Sequence, residues 1–342
     1  MKPNIFSFAT RELSQDGFFA WLFQWADERC YSHNTVLGEC ARDLILNLIQ
    51  KQMPDYRPQI HSVEPERQWE GIDICLDVNS EVLIVIEDKT ASREHSDQLN
   101  RYRAAATGWC KNNQRQIVCV YLTTGSEPNS ALDAIGKKGF AVFSRSNVLS
   151  ILRRHPNSGS DIYSDYVEHI ENIETSEQGY VTRKIKDWDW QCWTGFYRFL
   201  DDNLHLISWG YVPNPSGGFL NAAINWLYWG RFPVYIQIEQ GPLCFKICTD
   251  PDEVGEIALD RSEIRAKWHA CLLSCAKEYH LPEIHRPDRF GKGVYMTVAL
   301  IERATWLGSD DAILEPGDVL KRIQSYAKFL ATAIRQTQTE AP

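Results

Sequence analysis

The chain has 342 residues, more than one ordinary domain usually needs, so we expect two domains. Its formal net charge of −9 argues against a protein that binds nucleic acid non-specifically over much of its surface. Any contact with nucleic acid must therefore be local, metal-assisted or helped by another protein. The sequence lacks both the basic-then-apolar start of a secretory signal and an apolar run of the roughly 20 residues that a membrane span needs. The ten cysteines include no CxxC pair, and we expect reduced thiols in a cytoplasmic protein.

The first half of the chain alternates helices and strands. Residues 14–27 predict a short apolar helix with Ser14 as its N-cap, and the one-sided apolar pattern over 35–52 predicts an amphipathic helix. Further along we predict strands near 59–67, 72–78 and 82–89, a helix over 92–110, a strand over 116–124, a short helix, and a strand over 140–144. This order predicts an α/β domain over residues 1–155, with a mixed sheet flanked by helices.

The second half is less clear. Turn-forming residues near 153–161 and a charged helical stretch predict a linker helix and joint over 156–179, and residues 180–342 predict a second α+β domain. Its tryptophans could stack bases, although a Trp-rich core is the commoner arrangement: Trp188, Trp190, Trp193, Trp209, Trp226 and Trp229. The segment "NPSGGF" (214–219) reads as a turn ahead of a helix.

The stretch "GIDICLDVNSEVLIVIEDKT" has charged side chains at the ends of two apolar strands. Such a cluster is costly unless it meets a cation, water or a substrate. Side chains alternate between the faces of a strand, so Glu87 and Lys89 point to one face and Asp88 to the other. If residues 79–81 form the loop between the strands, Asp73 falls opposite Glu87 on the same face.

Two carboxylates on one patch raise each other's pKa unless a divalent cation lies between them. Mg²⁺ prefers one or two carboxylates together with water and substrate phosphate. We therefore predict that Asp73 and Glu87 bind Mg²⁺, for which Mn²⁺ would substitute. Lys89 would position a water or stabilise negative charge, and Asp88 would be structural.

The motifs "GID" and "EDK", in this order on neighbouring strands, resemble those of the PD-(D/E)XK nuclease superfamily. The following "QLNRY" resembles the QxxxY helix of its RecB-like branch, because Gln98 and Tyr102 are four residues apart and share a helix face. The resemblance covers about residues 10–150. It implies a restriction-endonuclease-like core that hydrolyses phosphodiester bonds, with Gln98 and Tyr102 beside the active site.

The resemblance also suggests weaker candidates. Some members carry an acidic residue from a first helix into the metal site, and Glu39 could be that residue or a solvated side chain. Arg93, Arg101 and Arg103 could contact substrate phosphates or form a solvated helix face. Several RecB-like nucleases hold an iron–sulfur cluster with three downstream cysteines; no such group follows here, and we expect no such cluster.

The sequence thus predicts a Mg²⁺-dependent nuclease that favours DNA, in which residues 180–342 select a substrate or a protein partner. A role in prokaryotic anti-phage defence or repair rests on analogy with the superfamily. Two alternatives stay open: a catalytically silent binding module on the nuclease fold, and an RNA-cutting enzyme. No membrane association is predicted, and the oligomeric state stays open.

Overall fold

The computed structural model describes residues 2–90, 97–213, 217–256, 260–291 and 293–342. The chain divides into two compact units. Unit 1 consists of Met1–Ser126 and Ala131–Thr175, and unit 2 of Glu127–Ser130 and Ser176–Pro342.

Unit 1 is built on a five-stranded mixed sheet whose strands follow the chain order. The strands are β1 (Val63–Trp69), β2 (Ile72–Val78), β3 (Val82–Lys89), β4 (Gln116–Thr123) and β5 (Ala141–Ser144). The first three are antiparallel, whereas β4 pairs in parallel with both β3 and β5. The turn between β2 and β3 begins with Asn79 and Ser80, whose φ of 55° each suits a tight hairpin. The predicted mixed sheet is therefore confirmed, although its first strand begins at Val63 rather than near 59.

Helices cover both faces of this sheet. They are α1 (Glu12–Gln24), α2 (Glu28–Tyr31), α3 (Thr35–Gln50), α4 (Gln98–Asn113), α5 (Asn129–Lys137), α6 (Arg145–Leu152) and α7 (Asp161–Glu177). The prediction of Ser14 as an N-cap is wrong, because α1 begins two residues earlier and Arg11 is in the N-cap position. The start of the predicted helix 92–110 lies outside the described residues.

Alternate residues of β3 belong to two separate cores. Val82, Ile84 and Ile86 are buried in the core that α1, α3, α6 and α7 share. Leu83 and Val85 are buried in a second core on the side of α4. This alternation follows from the pleat of the strand, and it extends to the charged residues that end β3.

The helix α7 belongs largely to unit 1. Its Tyr166 ring stacks on Phe18 of α1 with ring centres 3.6 Å apart. Tyr163 and Ile170 are buried in the same core. Because these apolar side chains complete that core, unit 1 continues to Thr175 rather than ending near residue 155.

Unit 2 contains a second, antiparallel sheet in the order β10-β9-β8-β7-β6. Its strands are β6 (Ser208–Val212), β7 (Phe219–Trp229), β8 (Phe232–Glu239), β9 (Leu243–Cys248) and β10 (Tyr295–Ile301). Its helices are α8 (Trp190–Leu204), α9 (Pro251–Val254), α10 (Arg261–Glu278), α11 (Arg303–Trp306) and α12 (Pro316–Thr337). The segment 217–219 leads into a strand rather than the predicted helix, and residues 214–216 lie outside the described residues.

Most of the tryptophans in unit 2 form its core rather than an exposed stacking surface. Buried ones are Trp188, Trp193, Trp209, Trp229, Trp268 and Trp306. Trp190 is exposed, and Trp226 stacks on Tyr235 with ring centres 5.0 Å apart. Of the helices described in either unit, none is both long and apolar enough to span a membrane.

Candidate active site

The β2–β3 hairpin brings the acidic side chains together. Its antiparallel ladder pairs Ile74 with Ile86, so the next position towards the sheet end places Asp73 opposite Glu87. Asp73 is fixed there by the main-chain N–H of Asp88, which donates to Asp73 Oδ2 at 2.9 Å. The hairpin register thus sets the spacing of the two carboxylates.

The Lys89 ammonium lies among oxygen atoms from three elements. Its Nζ is 2.7 Å from Glu87 Oε1, 3.9 Å from Asp73 Oδ2 and 3.8 Å from Glu12 Oε2. It also donates to the main-chain oxygen of Asp88 at 3.2 Å. Three carboxylates therefore share one cation at the end of the sheet.

Burial makes this arrangement electrostatically demanding. Glu87 is fully buried, and its burial and the charge of Asp73 raise its pKa to about 7 despite the nearby Lys89. Burial lowers the pKa of Lys89, but its hydrogen bond to Glu87 and the charges of Glu87, Asp73 and Glu12 outweigh that effect and raise it. Lys89 therefore stays protonated at neutral pH.

The donor set fits a divalent cation of the Mg²⁺ type. Within the described part of the chain, Glu87 Oε2 is buried without a hydrogen-bond partner, and the donor beside Oε1 is the Lys89 ammonium, 2.7 Å away. A buried acceptor without a donor is costly, and Mg²⁺ takes one or two carboxylates with waters and phosphate oxygens. Glu87 and Asp73 match that preference. No group of three or more His, Cys, Asp and Glu side chains among the described residues forms a complete metal site by itself.

A second acidic pair lies on the other side of β3. Gln15 Nε2 donates to Asp88 Oδ1 at 2.7 Å, and its Oε1 accepts from Thr124 and Tyr166. Burial and Asp16 raise the pKa of Asp88 well above its usual range, and burial also raises the pKa of Asp16 to about 6. Burial thus favours the protonated form of both carboxyl groups, and the hydrogen bond from Gln15 to Asp88 joins α1 to the end of β3.

Gln98 and Tyr102 face the same site from α4. Gln98 Nε2 donates to the Tyr102 hydroxyl at 2.7 Å. Burial raises the pKa of Tyr102, and the charges of Glu87 and Asp73 raise it further. Gly71, beside the Tyr102 hydroxyl, has a φ of 82°, a backbone conformation that favours glycine.

A family model of the PD-(D/E)XK nuclease superfamily matches residues 3–184, more than half of the chain. The chain belongs to this superfamily. No curated protein and no solved structure matches the chain. Its placement in the RecB-like branch stays a prediction.

This member of the PD-(D/E)XK superfamily does not bring every candidate residue to the acidic cluster. Glu39 is exposed on α3 and accepts a hydrogen bond from Tyr31, and no described hydrogen bond or ion pair joins it to the cluster. Arg103 is exposed and donates to the main-chain oxygen of Lys138 at 3.4 Å. Arg101 is exposed beside Tyr102, and its charge partly opposes the rise in the pKa of that tyrosine. Arg93 lies outside the described residues.

The acidic residue that a helix brings to Lys89 is Glu12, which sequence reasoning missed. The signal was present in "ELSQDGFF", where Glu12, Gln15 and Asp16 are spaced three and four apart and so share one helix face. The spacing alone could not show that this face meets the end of β3.

Proposed function

We propose that this protein is a metal-dependent nuclease that hydrolyses phosphodiester bonds and favours DNA. The observation that supports it best is the Lys89 ammonium held among the carboxylates of Glu12, Asp73 and Glu87 in a superfamily member. Three carboxylates around one buried lysine cost stability. A site that takes a second cation and a phosphate explains why such a cluster is kept.

Asp73 and Glu87 would hold Mg²⁺, or Mn²⁺ in its place, and Glu12 would contribute through water or directly. A bound divalent ion supplies a Lewis acid that lowers the pKa of water and offsets charge on the phosphate. Lys89 is protonated, so it acts as a hydrogen-bond donor and positive charge rather than as a base. It would orient the attacking water or stabilise the phosphate oxygens.

Gln98 and Tyr102 would organise the substrate side of the site. The Tyr102 hydroxyl accepts from Gln98, and its own proton remains available to donate. The raised pKa keeps that proton in place at neutral pH. The pair therefore offers a positioned donor to a phosphate or sugar oxygen.

Unit 2 would select the substrate or a protein partner, because an acidic chain needs a local means of finding nucleic acid. The setting that we propose, prokaryotic defence or repair, rests on superfamily analogy.

The test is incubation of the full chain with linear, circular and single-stranded DNA and with RNA, in Mg²⁺, Mn²⁺ or EDTA. We expect cleavage of DNA with either metal, none in EDTA, and none by Asp73→Asn. The matched control is Asp77→Asn, which changes the same charge on the same strand and face but lies beside Arg115, with an N–O distance of 3.2 Å. Cleavage that survives Asp73→Asn or EDTA would overturn the proposal, and cleavage of RNA alone would favour the RNA-cutting alternative.

A further inference from the structure

Two arginines of unit 2 contact the same aromatic ring. The guanidinium carbon of Arg265, on α10, lies 4.4 Å from the centre of the Phe290 ring, and that of Arg286 lies 4.5 Å from it. We call these three residues the guanidinium cluster. These two distances place the guanidinium carbons at most about 9 Å apart, within about one screening length at physiological salt, so the two cations repel each other.

Arg265 is buried without a carboxylate partner. It is 8% exposed, and within the described residues it has no ion pair. Its Nη1 donates to the main-chain oxygen of Gly291, while its buried Nε has no hydrogen-bond partner. A buried cation is normally paired, because desolvation without a counter-charge is unfavourable.

Other arginines of the same unit behave differently. Described ion pairs neutralise several of them: Arg183–Asp189, Arg198–Glu177 and Arg303–Asp310. Arg286 is exposed and, like Arg265, has no carboxylate within ion-pair distance in the described part of the chain. The guanidinium cluster therefore carries two positive charges without an ion pair among the described residues, although Arg265 is near enough to Asp260 to help lower the pKa of that carboxyl group.

The N–H edge of Arg286 donates no hydrogen bond among the described residues, whereas Arg265 uses Nη1 for the main-chain oxygen of Gly291. A guanidinium group that lies over an aromatic ring uses its flat face, whereas it binds phosphate through the N–H groups at its edge. Arg presents these donors in a rigid fork that matches two phosphate oxygens. Contact with Phe290 thus positions both arginines and leaves the edge of the exposed Arg286 able to bind an anion, with the charge of Arg265 beside it.

We propose that the guanidinium cluster binds a backbone phosphate of a nucleic-acid strand. This inference rests on the proposed nuclease function and deepens it, because it gives unit 2 a defined contact with the substrate. The phosphate would place a negative charge between two cations that otherwise repel each other.

The experiment measures binding without cleavage. The full chain is titrated onto a labelled single-stranded DNA oligonucleotide in EDTA, over a series of salt concentrations, and binding is read by fluorescence anisotropy. Arg286→Gln is compared with Arg335→Gln, which removes the same charge from an exposed arginine of α12 that contacts Thr332. Because Arg286 is exposed, both variants should fold, which circular dichroism checks.

We expect Arg286→Gln to weaken binding and to reduce the slope of log K against log salt by about 0.7, the value for one lost phosphate contact on a single strand. Arg335→Gln should leave the slope unchanged, and Arg286→Lys should restore most of it. An unchanged slope in Arg286→Gln, or equal losses in both Gln variants, would overturn the inference. Full-chain cleavage with an unchanged slope refutes this inference alone. A reduced slope without any cleavage refutes the nuclease proposal alone.

Discussion

Replacing Glu87 with glutamine should stabilise the metal-free protein while abolishing cleavage. Glutamine keeps the shape of the protonated side chain but cannot ionise. The charge of Glu87 is unfavourable in the metal-free fold, because the side chain is fully buried beside Asp73. Removing that charge should therefore increase the free energy of unfolding of unit 1.

The magnitude follows from the pKa. Burial and Asp73 raise the pKa of Glu87 from 4.5 to about 7. Since one pKa unit corresponds to about 1.4 kcal/mol, ionised Glu87 lowers the stability by about 3 kcal/mol at about pH 8. Because the folded pKa is the higher one, this loss is absent below about pH 4.5 and develops as the pH rises through about 7. The advantage of Glu87→Gln should therefore be under about 1 kcal/mol at about pH 5.

The assay is urea unfolding in EDTA at about pH 5 and about pH 8. Pulsed hydrogen exchange of peptides from β3 restricts the measurement to unit 1, which a signal from the whole chain would not do. Glu66→Gln, which removes an exposed carboxylate from β1, is the matched control and should change stability by less than about 0.5 kcal/mol.

Divalent metal should remove most of the stability advantage of Glu87→Gln. Mg²⁺ or Mn²⁺ at about a hundred times its dissociation constant would stabilise the native protein by about 2.7 kcal/mol, and Glu87→Gln should gain little of this. A variant that is no more stable than the native protein at the higher pH in EDTA would refute the reasoning. So would a gain of equal size at both pH values.

Three further predictions concern substitutions of Lys89, of Asp88 and of Gly71. Lys89→Met should abolish cleavage but strengthen Mn²⁺ binding measured by calorimetry, since the metal no longer competes with a tethered ammonium; weaker binding would contradict this. Asp88→Asn and Asp88→Ala should both keep most of the cleavage. Asp88→Ala should in addition lower the free energy of unfolding by about 1–3 kcal/mol, because the buried Gln15 loses its acceptor. Equal stability of the two variants would refute this structural role of Asp88. Gly71→Ala, at a φ of 82°, should destabilise the protein by about 1 kcal/mol or more. Gly108→Ala, in an open part of α4, should stabilise it by up to about 1 kcal/mol. If thermal unfolding shows melting temperatures that shift in the same direction for both variants, the backbone argument is wrong.

The strand alternation in unit 1 could be predicted because it depends only on neighbouring residues. Once the run from Val82 to Lys89 is taken as a strand, its pleat places successive side chains on opposite faces, and this correctly placed Asp88 on the face opposite to Glu87. The contribution of Glu12 could not be predicted in this way, because it depends on how the first turn of α1 packs against strands that come much later in the chain. Long-range packing of this kind leaves no local period.

The strand β7 was not predicted, and α7 was predicted as a linker helix rather than as part of unit 1; the physical reasons differ. In β7 the pairing register shifts between Ile224 and Leu227, and Asn225 has a φ of 61°, so a bulge interrupts the alternation that identifies a strand. The helix α7 has a visible apolar face, but its pattern does not tell which neighbour that face meets. Its packing on Phe18 assigns it to unit 1.

The unequal distribution of tryptophan gives the two units different optical signals. Eight of the twelve tryptophans follow Ser176, in unit 2, and Trp229, Trp268 and Trp306 are among its fully buried side chains. Buried indoles emit at shorter wavelengths than hydrated ones, so melting of unit 2 should shift the emission maximum strongly to the red. The four indoles of unit 1 are already partly hydrated, and its melting should change the emission much less. Intrinsic fluorescence can therefore follow the unfolding of unit 2, because the unfolding of unit 1 contributes little to the signal.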